Sequence, residues 1–254
     1  MLKKFAGFFS RGRMLSSVYS GDDNITVVES GDYRTKELRY NGIVYSRVKK
    51  DNVYTGSYWD YFLPAAYAFE RPRILVIGLG GGTVQYQFEK LLGKNAEVST
   101  AEIDQKVIDL WRKFFPKSSS RIFNVDGAEF IKRKESEYDI VILDAYKNLE
   151  IPPVFMSNGF ISDAHRSLRP KGVLAVNFAQ SVGRMREMED YIVKLKSLFT
   201  VGIVHTSRTS DNVILICLKG LTKDDFMGSI SRNMLRTKDT KRLLDSYRTW
   251  TSGN

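Results

Sequence analysis

The sequence is short of the residues that build metal sites and covalent cross-links. It holds one cysteine and two histidines in 254 residues. The lone Cys217 excludes an intramolecular disulfide, and its place in the apolar run NVILICLKG marks it as a buried strand residue. His165 and His205 stand far apart, so no zinc site built from cysteine and histidine is expected and no metal is assigned. Long apolar runs are also missing: none approaches the roughly 18 residues of a membrane-spanning helix. The opening MLKKFAGFFSRGRMLSS is basic with a short apolar patch, without the apolar core and small-residue cleavage site of a secretory signal. Residues 1–18 therefore read as a basic arm, helical in part, on a cytoplasmic protein.

Acidic residues are in deficit, 29 against 39 basic ones, for a formal charge of +10. Much of the excess lies in Lys3, Lys4, Arg11 and Arg13 and in the late stretch KDTKRLLDSYR. Such a balance suits nucleic acid, acidic lipid or an anionic substrate, and equally a plain solvated surface. No zinc finger and no aromatic RNP-like strand supports the nucleic-acid reading.

Strong periodicity, by contrast, is present. Residues 25–50 alternate as short strands, with Asn41-Gly42 between two of them, a pair suited to the positive φ angles of a type I′ hairpin turn. So small a sheet cannot stand alone and should pack on the larger unit C-terminal to it. YTGSYWDYFLPAAYAF, from residue 54, carries aromatics at helical spacing. It places Tyr54, Tyr58 and Tyr61 on one face, either as packing between two units or as the wall of a substrate pocket.

From residue 72 strands and helices alternate: PRILVIG, AEVSTAEI, RIFNV, YDIVILDA and GVLAVNFA are strand runs with helical stretches between them. That order implies a mostly parallel sheet with crossovers on both faces. FTVGIVHTS and NVILICLKG are too close for a crossover and must form an antiparallel hairpin. The expected fold class is α/β: a Rossmann-like class I methyltransferase fold of seven strands, plus a small N-terminal antiparallel β domain. The domain limits are 19–70 for the small β domain with its aromatic linker helix, 71–220 for the nucleoside-binding domain, and 221–254 for a helical extension.

The turn ILVIGLGGGT carries Gly78, Gly80 and Gly82 as G-x-G-x-G. A dinucleotide fingerprint would want a glycine where Thr83 stands, and no Lys-Ser/Thr pair follows to make a Walker loop. Glu102 ends the next strand, placed to accept from ribose hydroxyls, with Ile103 beside it. Asp126 ends the third strand, placed to accept from an adenine amine, with the backbone of Gly127 and Ala128 toward the ring edge. Asp144 ends the fourth. Acids at the carboxyl ends of strands repel a pyrophosphate and suit a sulfonium nucleoside such as S-adenosylmethionine.

These segments together resemble the spermidine/spermine synthase family and its methyltransferase-fold relatives. The likeness runs from about residue 19 to 218, through YNGIVYS, LVIGLGGGT, AEIDQKVIDLWRKFF, NVDGAEFI, DIVILDAY and LRPKGVLAVN. It implies S-adenosylmethionine or its decarboxylated form as donor, a small-molecule acceptor and a homo-oligomer. It also exposes departures. Where aminopropyltransferases of this family carry an Asp in the glycine motif, this chain has Gly81. Their Tyr-His-Glu is matched to Tyr54-Thr55-Gly56, a Gln to Tyr45, and the acid after the fourth strand to Lys147 or its neighbours. The expectation is a methyltransferase of unknown acceptor. Asp144 serves as base or acceptor-positioning group, or else as support for the glycine turn, and Tyr146, Tyr54 and Tyr58 wall the pocket. A divergent polyamine aminopropyltransferase and a non-catalytic scaffold are the alternatives.

Overall fold

A computed structural model of the protein describes residues 12–147, 149–179, 185–206, 212–235 and 237–252. Two sheets organise it. The smaller contains β1 (Arg13–Ser20), β2 (Asp23–Glu29), β3 (Thr35–Tyr40) and β4 (Ile43–Lys49), antiparallel and in sequential order. The β3–β4 turn has Asn41 at φ 47° and Gly42 at φ 82°, the positive pair that Asn-Gly favours. Strand β1 occupies the end of the segment expected to be a basic arm, of which residues 1–11 lie outside the described residues. Its apolar pattern is faint because Ser16, Ser17 and Ser20 interrupt it and the register shifts between Met14 and Ser16; its order comes from pairing with β2.

The aromatic segment is not one helix. Gly56 at φ 79° breaks it, a 3-10 turn spans Tyr58–Phe62, and only then does α1 (Leu63–Ala66) form. Tyr54 therefore does not share a helical face with Tyr58 and Tyr61.

The larger sheet is built from β5 (Arg73–Ile77), α2 (Thr83–Leu92), β6 (Glu97–Glu102), α3 (Gln105–Phe114), β7 (Arg121–Asn124), α4 (Gly127–Ile131), β8 (Tyr138–Leu143), α5 (Asn158–Ser167), β9 (Leu168–Ala179), α6 (Met185–Lys196), β10 (Thr200–His205) and β11 (Asn212–Leu218). Helices α7 (Lys223–Asn233) and α8 (Lys238–Arg248) come next, then a two-residue strand β12 (Thr251–Ser252) that pairs with β10. The spatial order is β7-β6-β5-β8-β9-β11-β10-β12, with the first five parallel and β11 antiparallel to both neighbours. This is the mostly parallel α/β fold that the sequence leads one to expect.

Successive residues of the central strands feed opposite cores. Ile74, Val76, Ile140 and Ile142 face α1, α2, α7 and α8, while Leu75, Ile77, Val141 and Leu143 face α4, α5 and α6. Cys217 is fully buried in β11. A third cluster joins Ile25, Val27, Leu38 and Val48 of the small sheet to α3 and Leu79. This contact seats the small sheet over the carboxyl ends of the parallel strands. The strand order reverses between β5 and β8, which is where open α/β sheets leave a crevice.

Candidate functional site

At that reversal lies a cavity of about 810 Å³, floored by the turn after β5 and roofed by β1, β3 and β4. Its size is that of a small-ligand pocket. The floor needs glycine for a measurable reason. Gly78 has φ 102°, and a Cβ there would stand 2.3 Å from the carbonyl oxygen of Asp144. Gly80, the next glycine to reach the cavity, lies under Ser46 of β4. Gly82 caps α2 against Trp111 and does not line the cavity. The lone side chain missing at Gly81 would point at the ring of Phe115, 2.6 Å from its Cβ position, and not into the cavity.

Three carboxylates reach the cavity from three strand ends. Glu102 accepts from Leu79 N–H and Asp104 N–H at 2.9 Å each, so it fixes the glycine turn as well as facing the cavity. Burial raises its pKa, and those backbone donors act the other way. Asp126 caps α4: its Oδ1 accepts from Ala128 N–H at 2.7 Å and Glu129 N–H at 3.4 Å. The N–H of Ala128 is thereby engaged, and Ala128 itself is buried off the cavity, while Gly127 lines it. Ile103 is exposed at the rim.

Asp144 is a strongly perturbed acid. Its carboxylate is screened from water, which raises its pKa to about 6, against the opposing effect of hydrogen bonds from Asn177, Tyr58 and Trp59. Asn177 Nδ2 donates to Oδ1 at 2.9 Å, and Asn177 Oδ1 in turn accepts from Asn212 Nδ2 at 2.8 Å. A carboxyl held near 6 exchanges a proton readily at neutral pH. The Tyr146 ring lines the cavity, while its hydroxyl donates to the carbonyl of Asn177 at 2.6 Å and accepts from Ala179 N–H at 3.0 Å.

Tyr58 touches the site through Asp144, and burial pushes its own pKa well up. Tyr54 does not join it: its ring packs toward Tyr67 and the start of α8, and its hydroxyl bonds to Thr237. Tyr58 and Trp59, rather than Tyr54-Thr55-Gly56, therefore stand at Asp144. Trp59 and Asn177 are the site residues that sequence reading missed. Tyr-aromatic-acid spacing gave a signal for the first; nothing local marks the second, an amide inside a core strand. Among the described residues no group of three or more His, Cys, Asp or Glu side chains is placed to hold a metal ion. Among them, too, no helix is long and apolar enough to cross a membrane.

Comparisons with known proteins bear on the family and the fold. The sequence model of the spermine/spermidine synthase domain matches residues 63–209. A probable polyamine aminopropyl transferase of Bifidobacterium longum is 32% identical over 136 residues, 53% of this chain and 30% of that protein. A polyamine aminopropyltransferase of Prochlorococcus marinus is 27% identical over 211 residues, 78% of this chain and 72% of that protein. The chain thus spans under a third of the first relative's length and nearly three quarters of the second's. The spermidine synthase structure from Thermotoga maritima shares the fold, with a TM-score of 0.72 at 17% identity over 92% of this chain and 84% of that one.

Proposed function

The chain belongs to the spermine/spermidine synthase family, and from that premise we propose that it is a transferase acting on a sulfonium nucleoside. The observation that carries the reading is the convergence of Glu102, Asp126 and Asp144 from three strand ends on one cavity above the glycine turn. Glu102 holds the ribose hydroxyls, and the free side of Asp126 the adenine amine. Gly78 and Gly80 let the donor's tail lie against backbone.

The acceptor is an amine. Asp144 takes its proton, the nitrogen lone pair attacks the carbon attached to sulfur, and the carbon–sulfur bond breaks with its electrons going to sulfur. The sulfonium leaves as a neutral thioether, so the protein supplies alignment and a base. Tyr58, Trp59 and Asn177 hold the Asp144 carboxylate in place for that transfer.

The sequence alone favoured methyl transfer. The names of the curated relatives favour the aminopropyl alternative, with decarboxylated S-adenosylmethionine as donor, and we adopt it as the first reading. Methyl transfer keeps one observation in its favour: no acid stands at Gly81, whose Cβ direction is filled by Phe115. The scaffold reading accounts poorly for a carboxylate kept near pKa 6 at the cavity wall.

Isothermal calorimetry with methylthioadenosine, S-adenosylmethionine and decarboxylated S-adenosylmethionine tests this directly. Binding of all three below millimolar is expected, and turnover only with the preferred donor. Failure of all three to bind below millimolar sinks the reading. Glu102→Gln, which keeps the shape and loses the charge, is expected to weaken each by about tenfold, the worth of roughly one charged hydrogen bond.

A further inference from the structure

The cavity is acidic apart from one side chain. Asp23, Glu102, Asp104, Asp126 and Asp144 line it, and Lys147 is the only lysine or arginine among its described lining residues. The acids are engaged by other donors: Asp23 accepts from Asn41 and Asp104 from the backbone of Lys106. Glu102 and Asp126 accept from backbone N–H groups, and Asp144 from Asn177. Among the described residues no carboxylate forms an ion pair with the ammonium of Lys147. The Lys147 backbone, by contrast, exchanges hydrogen bonds with that of Glu150 at 2.8 and 2.9 Å.

That backbone is well anchored. The paired bonds close a tight turn in which Leu149 sits at φ 64°, and Leu149 N–H donates to the Tyr45 hydroxyl of the small sheet at 3.1 Å. One turn thus ties floor to roof, and its Lys147, exposed to solvent, lines the cavity. Lys147 lies three residues beyond Asp144, so their Cα atoms are no more than about 10 Å apart. A small ligand can reach both.

We infer that Lys147 reads a carboxylate carried by the ligand beside the reacting centre. This rests on the sulfonium-nucleoside reading and deepens it. A diamine engaged at Asp144 would bring its second cation toward an ammonium. An amino acid would bring a carboxylate there instead, with its amine at Asp144. The same carboxylate chemistry has a second source, the amino-acid tail of S-adenosylmethionine, which the decarboxylated donor lacks. In either case the chemical step is unchanged: the amine loses its proton to Asp144, a C–N bond forms and the C–S bond breaks.

Two ligand pairs that differ at the carboxylate separate these sources. Calorimetry is run on the wild type and on Lys147→Met, with S-adenosylmethionine against its decarboxylated form, and with γ-aminobutyrate against putrescine. The acceptor pair is titrated both with and without methylthioadenosine. Wild type is expected to prefer the carboxylate member of one pair by about two- to fivefold, the scale of an exposed ion pair. Lys147→Met is expected to erase that preference and leave methylthioadenosine affinity unchanged, and Lys147→Glu to reverse it. The pair that responds names the source. No preference in the wild type, or one that survives in Lys147→Met, overturns the inference. Loss of methylthioadenosine binding in the wild type overturns the nucleoside reading instead, and the acceptor titrations without it still report on Lys147.

Discussion

At Asp144 the fold sets a proton equilibrium that ordinary sequence context would not. Burial lifts its pKa from 3.8 to about 6. As a base it works when ionised, so log kcat/KM is expected to fall with a slope of one below about pH 6. Asp144→Asn should lower kcat by at least about a hundredfold, the usual contribution of a positioned base, with donor affinity changed little. The same shift makes a stability statement of definite sign. The folded pKa lies above the unfolded one, so the folded state holds the proton more tightly. The cost of the buried charge is absent below about pH 4, grows up to about pH 6 and is full above that. Asp144→Asn removes this cost, but its amide nitrogen cannot accept, so part of the hydrogen bonding now given to the carboxylate is lost. A net gain of about 1–2 kcal/mol at pH 8 that disappears at pH 4 is expected in urea melts. Asp144 itself was legible as an acid at a strand end. Its pKa was not, because Trp59, Tyr58 and Asn177 come from segments far away in the chain.

Two glycine turns show how elements respond differently to the same backbone demand. Gly42 and Gly78 both have positive φ, at 82° and 102°. A Cβ at Gly42 meets nothing within 4 Å, whereas one at Gly78 meets the Asp144 backbone at 2.3 Å. Gly42→Ala is therefore expected to cost about 1 kcal/mol, backbone strain alone, with ligand affinity intact. Gly78→Ala should cost more than that and abolish methylthioadenosine binding, because the floor of the cavity must move; denaturant melts and calorimetry compare the two. Both turns were readable, since Asn-Gly and a glycine cluster after a strand are local signals. The break in the aromatic segment and strand β1 were not. Gly56 ends the helical spacing that the sequence suggests from Tyr54, and the serines of β1 hide its alternation until β2 supplies hydrogen bonds.

Across the molecule, a buried acid ties the C-terminal helices to the site. Asp60 is fully buried and accepts from Thr55 N–H at 2.8 Å, Thr55 Oγ1 at 2.7 Å, Gly56 N–H at 2.8 Å and Gln87 Nε2 at 2.7 Å. Arg242 of α8 pairs with it at 3.0 Å. Tyr247, also of α8, donates to the carbonyl of Tyr61 at 2.6 Å. Helix α8 thus holds the short segment that presents Tyr58 and Trp59 to Asp144. Arg242→Met leaves the Asp60 charge buried with neutral donors only. It is expected to lower stability by about 2–4 kcal/mol in urea melts. Activity per folded molecule should change by less than about threefold, because Arg242 does not line the cavity.

By itself the sequence determined the alternation of strands and helices, the closing hairpin, the glycine turn and the three acids at strand ends. Each is written in neighbouring residues, as a period, a turn pair or a carboxylate just past an apolar run. Only the tertiary structure decided that Tyr58 and not Tyr54 meets Asp144, that Asn177 orients it, that Phe115 fills the direction of the missing side chain at Gly81, and that Lys147 lines a cavity whose other charged lining residues are acids. These depend on side chains brought together from distant parts of the chain, and such contacts leave no period in the sequence to read.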